Sequence, residues 1–235
     1  ANCYRQGTGV KQDYYLAAQW MSQVATTRHN DYNALIDQLK AKNDPFFNYL
    51  KGLNCYYLQR NFEAAEKLFK AVDKAHVAEG KTMQGVCLAS KQNPKSDPAK
   101  GAKLLEKASK DSPAACYYLS LMLETGTGVK QDAQRALQML TQAADGGNEY
   151  AQCRLADKYI KGDGIGMDMA KAAHYYLLAE AQHGLTPEAA RNLANLYENH
   201  FPGLPAVDDL KAHIQKLRQT KESKTLLNML TNTKF

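Results

Sequence analysis

The sequence lacks any long apolar run. No stretch of about 18 consecutive apolar residues occurs among its 235 residues, and a helix needs about that length to cross a bilayer. The amino end carries no readable targeting signal. The chain begins at Ala1 rather than at a methionine, so we expect that an upstream segment was removed together with any address it carried.

The sequence also lacks paired cysteines. Its five cysteines are an odd number, contain no CxxC pair and share no repeat position: Cys3, Cys55, Cys87, Cys116 and Cys153. A disulfide framework or a zinc site requires paired, regular spacings. We therefore predict unpaired, mostly packed thiols, no bound metal and a reducing, cytoplasmic-type environment. A periplasmic or secreted protein with one or two disulfides is the alternative.

Catalytic and cofactor motifs are absent as well. None of the six histidines stands in an H-E-x-x-H pattern, and no G-x-S-x-G turn occurs. A dinucleotide fingerprint needs a preceding strand and wider glycine spacing than the glycines at 162–166 provide. We predict no catalytic residue, no cofactor and no enzyme activity. An enzyme assembled from side chains of distant repeats is the alternative left open.

Charge is moderate and mixed. The net charge is +6, with 23% charged and 44% hydrophobic residues, a composition typical of a folded protein. Lys100, Lys103, Lys107 and Lys110 recur at helical spacing, but Glu106 interrupts them and no aromatic residue alternates with them. This pattern favours a solvated helix face over nucleic-acid binding. The excess of positive charge indicates only a weak preference for acidic partners.

An internal repeat is the most informative feature that is present. The seven residues at 126–132 are identical to those at 7–13, and a near copy starts 36 positions later, at Gly162. Self-similarity at a fixed period of this size indicates a solenoid of stacked units. Glycines in these loops predict helix ends and positive φ rather than a phosphate site.

Each repeat contains the signals of two helices. The trailing helices have capping side chains at Asp13, Asn61, Asp97, Asp132, Asp168 and, less clearly, Asp208. Small and large apolar residues follow each cap at spacings i, i+3, i+4 and i+7, which form one helical stripe. The leading helices begin at Asp44-Pro45, Ser112-Pro113, Asn148-Glu149 and Thr186-Pro187. We therefore predict an all-α solenoid of antiparallel helix pairs.

One motif resembles a known family. It comprises Ala151, Leu155, Tyr159, Gly162, Gly164, Ile165, Asp168 and Ala172. This pattern resembles the Sel-one-like repeat (SLR), which is related to the tetratricopeptide repeat (TPR) but has a longer loop between its helices. The resemblance implies an α/α superhelix that serves as an adaptor or scaffold, frequently in bacterial signalling, envelope or host-interaction proteins.

We predict a single repeat domain over residues 1–235 with about six helix-pair units. Its segments are a partial first unit at 1–27, an inserted helix at 28–43, a TPR-like unit at 44–73, an irregular unit at 74–110, SLR units at 111–147 and 148–184, and a degenerate C-terminal cap at 185–235. A last helix is expected near 222–230. The insert either adjusts the curvature of the solenoid or binds a partner.

The resemblance also indicates where a partner would bind. In TPR-like solenoids the leading helices line the concave face, and the positions expected there mix aromatic, apolar and charged residues, as a peptide groove does. They are Leu50, Asn54, Tyr57, Tyr117, Leu121, Glu124, Asp157, Lys161, Arg191, Asn195 and Glu198. The alternative is that side chains such as Tyr117 and Leu121 only complete the core.

We therefore predict a non-catalytic adaptor or scaffold, bacterial in origin, that binds a partner peptide or helix on this face. A secreted effector or an envelope protein that engages a host or envelope protein is the alternative. The identity of the partner and the oligomeric state are left open by the sequence.

Overall fold

The computed structural model describes residues 1–27, 29–182 and 185–219. Within these residues every regular element is an α-helix, which confirms the predicted all-α class. The helices are α1 (Asn2–Gln6), α2 (Tyr14–Thr27), α3 (His29–Ala41), α4 (Pro45–Tyr57), α5 (Phe62–Lys74), α6 (Ala78–Ala89), α7 (Pro98–Ala108), α8 (Pro113–Thr125), α9 (Ala133–Asp145), α10 (Glu149–Lys161), α11 (Met169–Gln182), α12 (Pro187–Glu198) and α13 (Leu210–Arg218).

The predicted caps of the trailing helices are confirmed. In α2, α5, α7, α9 and α11 the Asp or Asn side chain before the helix accepts a hydrogen bond from the backbone N–H three residues later, at 2.8 to 3.0 Å. Such a bond stabilises a helix by about 1 kcal/mol. One assignment was wrong by a residue, because α13 is capped by Asp209 and not by Asp208.

The predicted starts of the leading helices are confirmed too. Asp44, Ser112, Asn148 and Thr186 cap α4, α8, α10 and α12 with their side chains. The exception is α6, whose N-cap residue Val77 makes no side-chain capping bond. This helix belongs to the stretch in which the repeat is least regular. The weak start signal in the sequence therefore corresponds to a missing capping bond in the structure.

The glycine loop ends the SLR-type leading helices. Gly126 and Gly162 adopt φ of 71° and 68°, the left-handed conformation that closes α8 and α10. Gly128 has a second requirement, because a Cβ atom there would lie 2.3 Å from the carbonyl carbon of Pro98. The loop therefore packs directly on the first turn of α7. The predicted helix stop at Gly184 lies outside the described residues.

The helices form two compact units, Ala1–Gln131 and a second that begins at Asp132. In the first unit α4, α5, α6 and α7 pack one against the next. In the second, α10 packs against both α9 and α11. The predicted small residue at the start of each stripe is buried in α5, α7, α9 and α11, as Ala65, Gly101, Ala136 and Ala172.

Helix α3 occupies the stretch predicted as an insert, and its Tyr32, Ile36 and Leu39 are buried. The last helix that we predict near 222–230 lies outside the described residues. Among those described, no helix combines the length and hydropathy needed to cross a bilayer.

Candidate partner-binding surface

An apolar cavity of about 320 Å³ opens among the carboxyl-terminal ends of the leading helices of the first unit. Side chains of α4, α6, α7 and α8 and of the residues that follow α6 and α8 line it. We call this cavity the apolar slot. Its lining residues are Tyr56, Val86, Ala89, Ser90, Lys91, Leu105, Tyr118, Leu121, Met122, Thr125 and Thr127.

Two tyrosines, Tyr56 and Tyr118, line the apolar slot, and each packs against the tyrosine next to it in the chain. The rings of Tyr56 and Tyr57 meet edge to face at 4.8 Å, and those of Tyr117 and Tyr118 lie 5.5 Å apart. The hydroxyl oxygens of Tyr57 and Tyr118 are 3.4 Å apart, which joins α4 to α8 by a hydrogen bond. Burial raises the pKa of Tyr56, Tyr57 and Tyr118, so these hydroxyls stay protonated and can donate hydrogen bonds.

The charge at the mouth of the apolar slot is positive. Lys91 is the one charged side chain among the lining residues described. Arg60 lies close enough to Tyr56 for its guanidinium to act on the tyrosine hydroxyl, which also bonds to Ser90. The slot therefore combines an apolar floor with a cationic edge.

Four of the six residues predicted at a groove of the first unit are partly exposed to solvent. Leu121 lines the apolar slot, and Tyr57, Tyr117 and Glu124 are half-buried. The other two require a correction. Leu50 is 0% exposed, and Asn54 is 7% exposed and accepts a hydrogen bond from Gln59. Both side chains belong to the core and cannot contact a partner in this structure.

The physical reason for this burial is that α2, α3 and α5 all pack against α4. The predicted set was also out of phase, although Tyr49 and Leu53, at two of the corrected positions, are buried as well. Tyr117 and Arg191 are the fifth residues after the N-caps Ser112 and Thr186, whereas the fifth residue after Asp44 is Tyr49 and not Leu50. The α4–α5 turn lacks the glycine loop that serves as a reference elsewhere, so the predicted set was shifted by one residue.

Counted from the N-cap, Tyr56 of α4 occupies the same position as Glu124 of α8, and Tyr56 lines the apolar slot. Counting from the Asp44-Pro45 capping signal would have found this residue. Val86 and Lys91 had no comparable signal, because the repeat pattern around α6 is irregular.

In the second unit, Asp157 holds three helices together. Its carboxylate accepts hydrogen bonds from the hydroxyl of Tyr176 and, at 3.2 Å, from the amide of Asn192. The same amide donates to the Tyr176 oxygen at 3.1 Å. Burial and the bond to Asp157 raise the pKa of Tyr176 well above its ordinary value. Asp157 is thus already engaged by α11 and α12.

The other predicted residues of the second unit are exposed. Asn195 and Glu198 are contacted by Arg218 of α13, which donates to the Asn195 side chain at 2.7 Å and forms an ion pair with Glu198. Lys161 and Arg191 are exposed on α10 and α12. Arg218 of α13 therefore contacts Asn195 and Glu198, whereas Lys161 and Arg191 are exposed to solvent.

The described residues contain no cluster of three or more His, Cys, Asp or Glu side chains that could hold a metal ion. The five cysteines are unpaired, and Cys3 is exposed. Burial raises the pKa of the Cys87 and Cys153 thiols to about 12. These two sulfurs are therefore protonated and weakly nucleophilic at neutral pH.

Comparison with known proteins gives a family match along most of the chain. The family model described as Sel1 repeat matches residues 1–26, 91–112, 113–148, 149–183 and 187–213. Among curated proteins, chitin synthase regulatory factor 2 of Schizosaccharomyces pombe is 33% identical over 106 residues, which are 43% of this chain. The matched part is only 20% of that protein.

Solved structures match the fold. A Sel1 repeat protein from Oxalobacter formigenes is 22% identical, with a TM-score of 0.58 over 86% of this chain and 83% of that one. A protective antigen of uropathogenic Escherichia coli with an SLR fold is 18% identical, with a TM-score of 0.53 over 98% of this chain and 53% of that one. At these identities the likeness concerns the fold alone.

Proposed function

Because the chain belongs to the Sel1 repeat family, whose members are generally protein-interaction adaptors, we propose that it is a non-catalytic adaptor that binds a partner peptide or helix at the apolar slot. The observation that carries this proposal is the tyrosine-walled cavity on the leading helices of the first unit. Half-buried tyrosine and leucine side chains around a pocket are the chemistry of protein interfaces.

The size of the apolar slot supports a peptide side chain as its occupant. Pockets that enclose a whole small molecule range from about 300 to 1,000 Å³, and this cavity of about 320 Å³ lies at the lower end. It has room for one or two bulky side chains of a longer segment. The remainder of such a segment would lie across α4, α6 and α8.

In the second unit, we propose that Lys161 and Arg191 contact the partner, because both are exposed on leading helices. Asp157 serves the packing of α10, α11 and α12, and the contacts of Asn195 and Glu198 with Arg218 occupy part of their hydrogen-bonding capacity. These three residues therefore contribute less to binding than the two cations.

The proposal is tested by affinity capture with Leu121→Arg, which places a charge in the apolar slot. The matched control is Met167→Arg, an equal change at a side chain that is 70% exposed in the second unit. We expect the wild type and Met167→Arg to retain the same proteins and Leu121→Arg to lose them. Equal capture by a folded Leu121→Arg protein would reject the slot as the binding surface.

The same capture experiment addresses the setting in which the adaptor works. We propose a bacterial protein, so one arm uses lysate of the bacterium from which the chain comes and another uses lysate of a host cell. Slot-dependent partners in the bacterial arm indicate a resident adaptor. Slot-dependent partners in the host arm alone indicate a secreted effector.

A further inference from the structure

The excess of positive charge lies mainly in the amino-terminal part of the chain. Residues 1–131 contain 18 lysines and arginines against 12 aspartates and glutamates, whereas residues 132–223 contain 10 against 12. Residues 1–131, which include every residue of the apolar slot, therefore have a net charge of +6, and residues 132–223 have a net charge of −2. An acidic partner would be attracted to the first unit from a distance of about one Debye length, roughly 8 Å at physiological salt.

The charges around the apolar slot are mainly positive. Lys91 lines the slot and is exposed, and Arg60 acts on the hydroxyl of Tyr56 at its edge. Lys51, on the preceding turn of α4, acts on the thiol of Cys55. The acidic side chains of this region are Glu124 on α8 and Glu66, which acts on the thiol of Cys87. The cations therefore outnumber the carboxylates by three to two.

A second cavity of the first unit has a different balance. It has a volume of about 410 Å³, and its lysines include Lys11 and Lys81. Each of these stands 3.5 Å from a carboxylate oxygen, Lys11 from Asp111 and Lys81 from Asp73. Because two of its three lining lysines are already paired with carboxylates, that cavity offers an acidic partner less than the number of its lysines suggests.

We infer that the partner is an acidic segment that inserts one bulky apolar side chain, a leucine or an aromatic residue, into the apolar slot and places neighbouring carboxylates against Lys91 and Arg60. This inference rests on the proposed function. Burial of the apolar side chain against Tyr56, Tyr118 and Leu121 supplies the affinity. The charges select the register of the segment and speed its association.

The test is a selection from a random peptide library displayed on phage, with wild-type protein as the target and Leu121→Arg as the counter-target. We expect the peptides retained by the wild type alone to share one leucine or aromatic residue flanked by aspartate or glutamate. Circular dichroism and melting temperature establish that the variant is folded. If Leu121→Arg does not fold, Leu121→Ser, which adds no charge, serves as the counter-target instead.

A charge reversal then measures the cationic edge. The double substitution Arg60→Glu and Lys91→Glu should weaken binding of the selected peptides by at least about tenfold at physiological salt. The matched control is Lys100→Glu with Lys103→Glu, which makes the same change at two exposed positions of α7 and should alter affinity by less than about twofold.

The outcomes separate the inference from the proposed function. Slot-dependent peptides without acidic residues, or peptides whose affinity survives the reversal at 60 and 91, would overturn the acidic partner and leave the adaptor proposal intact. Acidic peptides that bind wild type and Leu121→Arg equally would overturn the apolar anchor. Failure to enrich any slot-dependent peptide would overturn both.

Discussion

At the scale of single residues, Glu79 is the most unusual side chain in the first unit. It is 2% exposed, and the backbone N–H of Tyr14 and the hydroxyl of Ser112 lie close enough to act on its carboxyl group. The amino-terminal ends of α2, α6 and α8 therefore meet at one carboxyl group. Its Oε2 atom has no hydrogen-bond partner among the described residues. Burial and the nearby charge of Asp13 raise the pKa of Glu79 to about 8.

This raised pKa predicts a pH-dependent stability. Glu79 titrates near 4.5 in an unfolded chain and near 8 in the fold, so between these values only the folded state holds the proton. The contribution of Glu79 to stability is therefore complete below about pH 4.5 and is lost as the pH rises through 8. We expect the free energy of unfolding of Glu79→Gln to exceed that of the wild type by roughly 2 kcal/mol at pH 9 and to show no such excess at pH 4.

Urea denaturation at both pH values measures this difference. Glu106→Gln, at an exposed position of α7, is the matched control and should follow the wild type at both. A Glu79→Gln protein whose advantage is the same at pH 4 and pH 9 would contradict the assignment.

Asp157 gives a second prediction at this scale. Replacing it with alanine removes the acceptor for the fully buried Tyr176 and for Asn192, so we expect a loss of about 1 to 3 kcal/mol in the free energy of unfolding. Asp157→Asn retains an acceptor oxygen and should lose less than half of that. Chemical denaturation of both variants tests this. Equal stability of Asp157→Ala and wild type would show that the bonds contribute nothing.

At the scale of elements, two glycine loops of identical sequence differ in how closely the neighbouring backbone packs against them. The seven-residue loop occurs identically at 7–13 and 126–132, and both Gly9 and Gly128 have positive φ. A Cβ atom on Gly128 would collide with the backbone of Pro98, whereas one on Gly9 would meet nothing within 4 Å. The repeat therefore specifies the conformation of the loop, and its neighbours specify how tightly it is packed.

This difference predicts unequal costs of alanine substitution. Gly164 has φ of 72° and open space around its Cα, while Gly128 has φ of 70° and the close contact with Pro98. We expect Gly164→Ala to cost about 1 kcal/mol from the backbone conformation alone. Gly128→Ala should cost at least twice as much, because the α7 contact must also open. Melting temperatures of the two variants test this prediction. Equal decreases in melting temperature would mean that the contact with Pro98 opens at little cost.

At the scale of the whole molecule, the uneven charge predicts a salt dependence of partner binding. Residues 1–131, with six excess positive charges, attract an acidic segment, and salt screens that attraction. We expect the association rate of the selected acidic peptides to fall by about tenfold or more between roughly 0.02 and 0.5 M salt, while the dissociation rate changes little. Stopped-flow fluorescence measures both rates. A salt-independent association rate would argue for a purely apolar contact.

The fold of this protein could be predicted closely because its signals are local. A cap such as Asp44 or Thr186 bonds to a backbone N–H two or three residues away, and Gly126 ends its helix through its own φ angle. The stripe from Ala65 to Val72 lies within two turns of one helix. Repetition presents each of these signals several times, so an ambiguous unit is corrected by its neighbours.

The candidate site could be predicted only in part, because a groove depends on the phase of a helix and on which neighbours cover it. A shift of one residue in α4 exchanged Tyr56, which lines the apolar slot, for Tyr57, since a single position rotates a side chain by about 100° around the helix. Lys91 enters the site because the end of α6 lies beside α4 and α8. No pattern within α6 indicates that position.

The sequence by itself determined the helices, their ends, the repeat and the family, since each follows from contacts between residues close in the chain or from a period that recurs along it. Tertiary structure alone decided that Tyr56 and Tyr118 line one apolar slot, and that Glu79 lies beside Tyr14 and Ser112. These partners are separated by more than thirty positions in the chain. Their meeting depends on the packing of whole helices, which no local pattern of residues encodes.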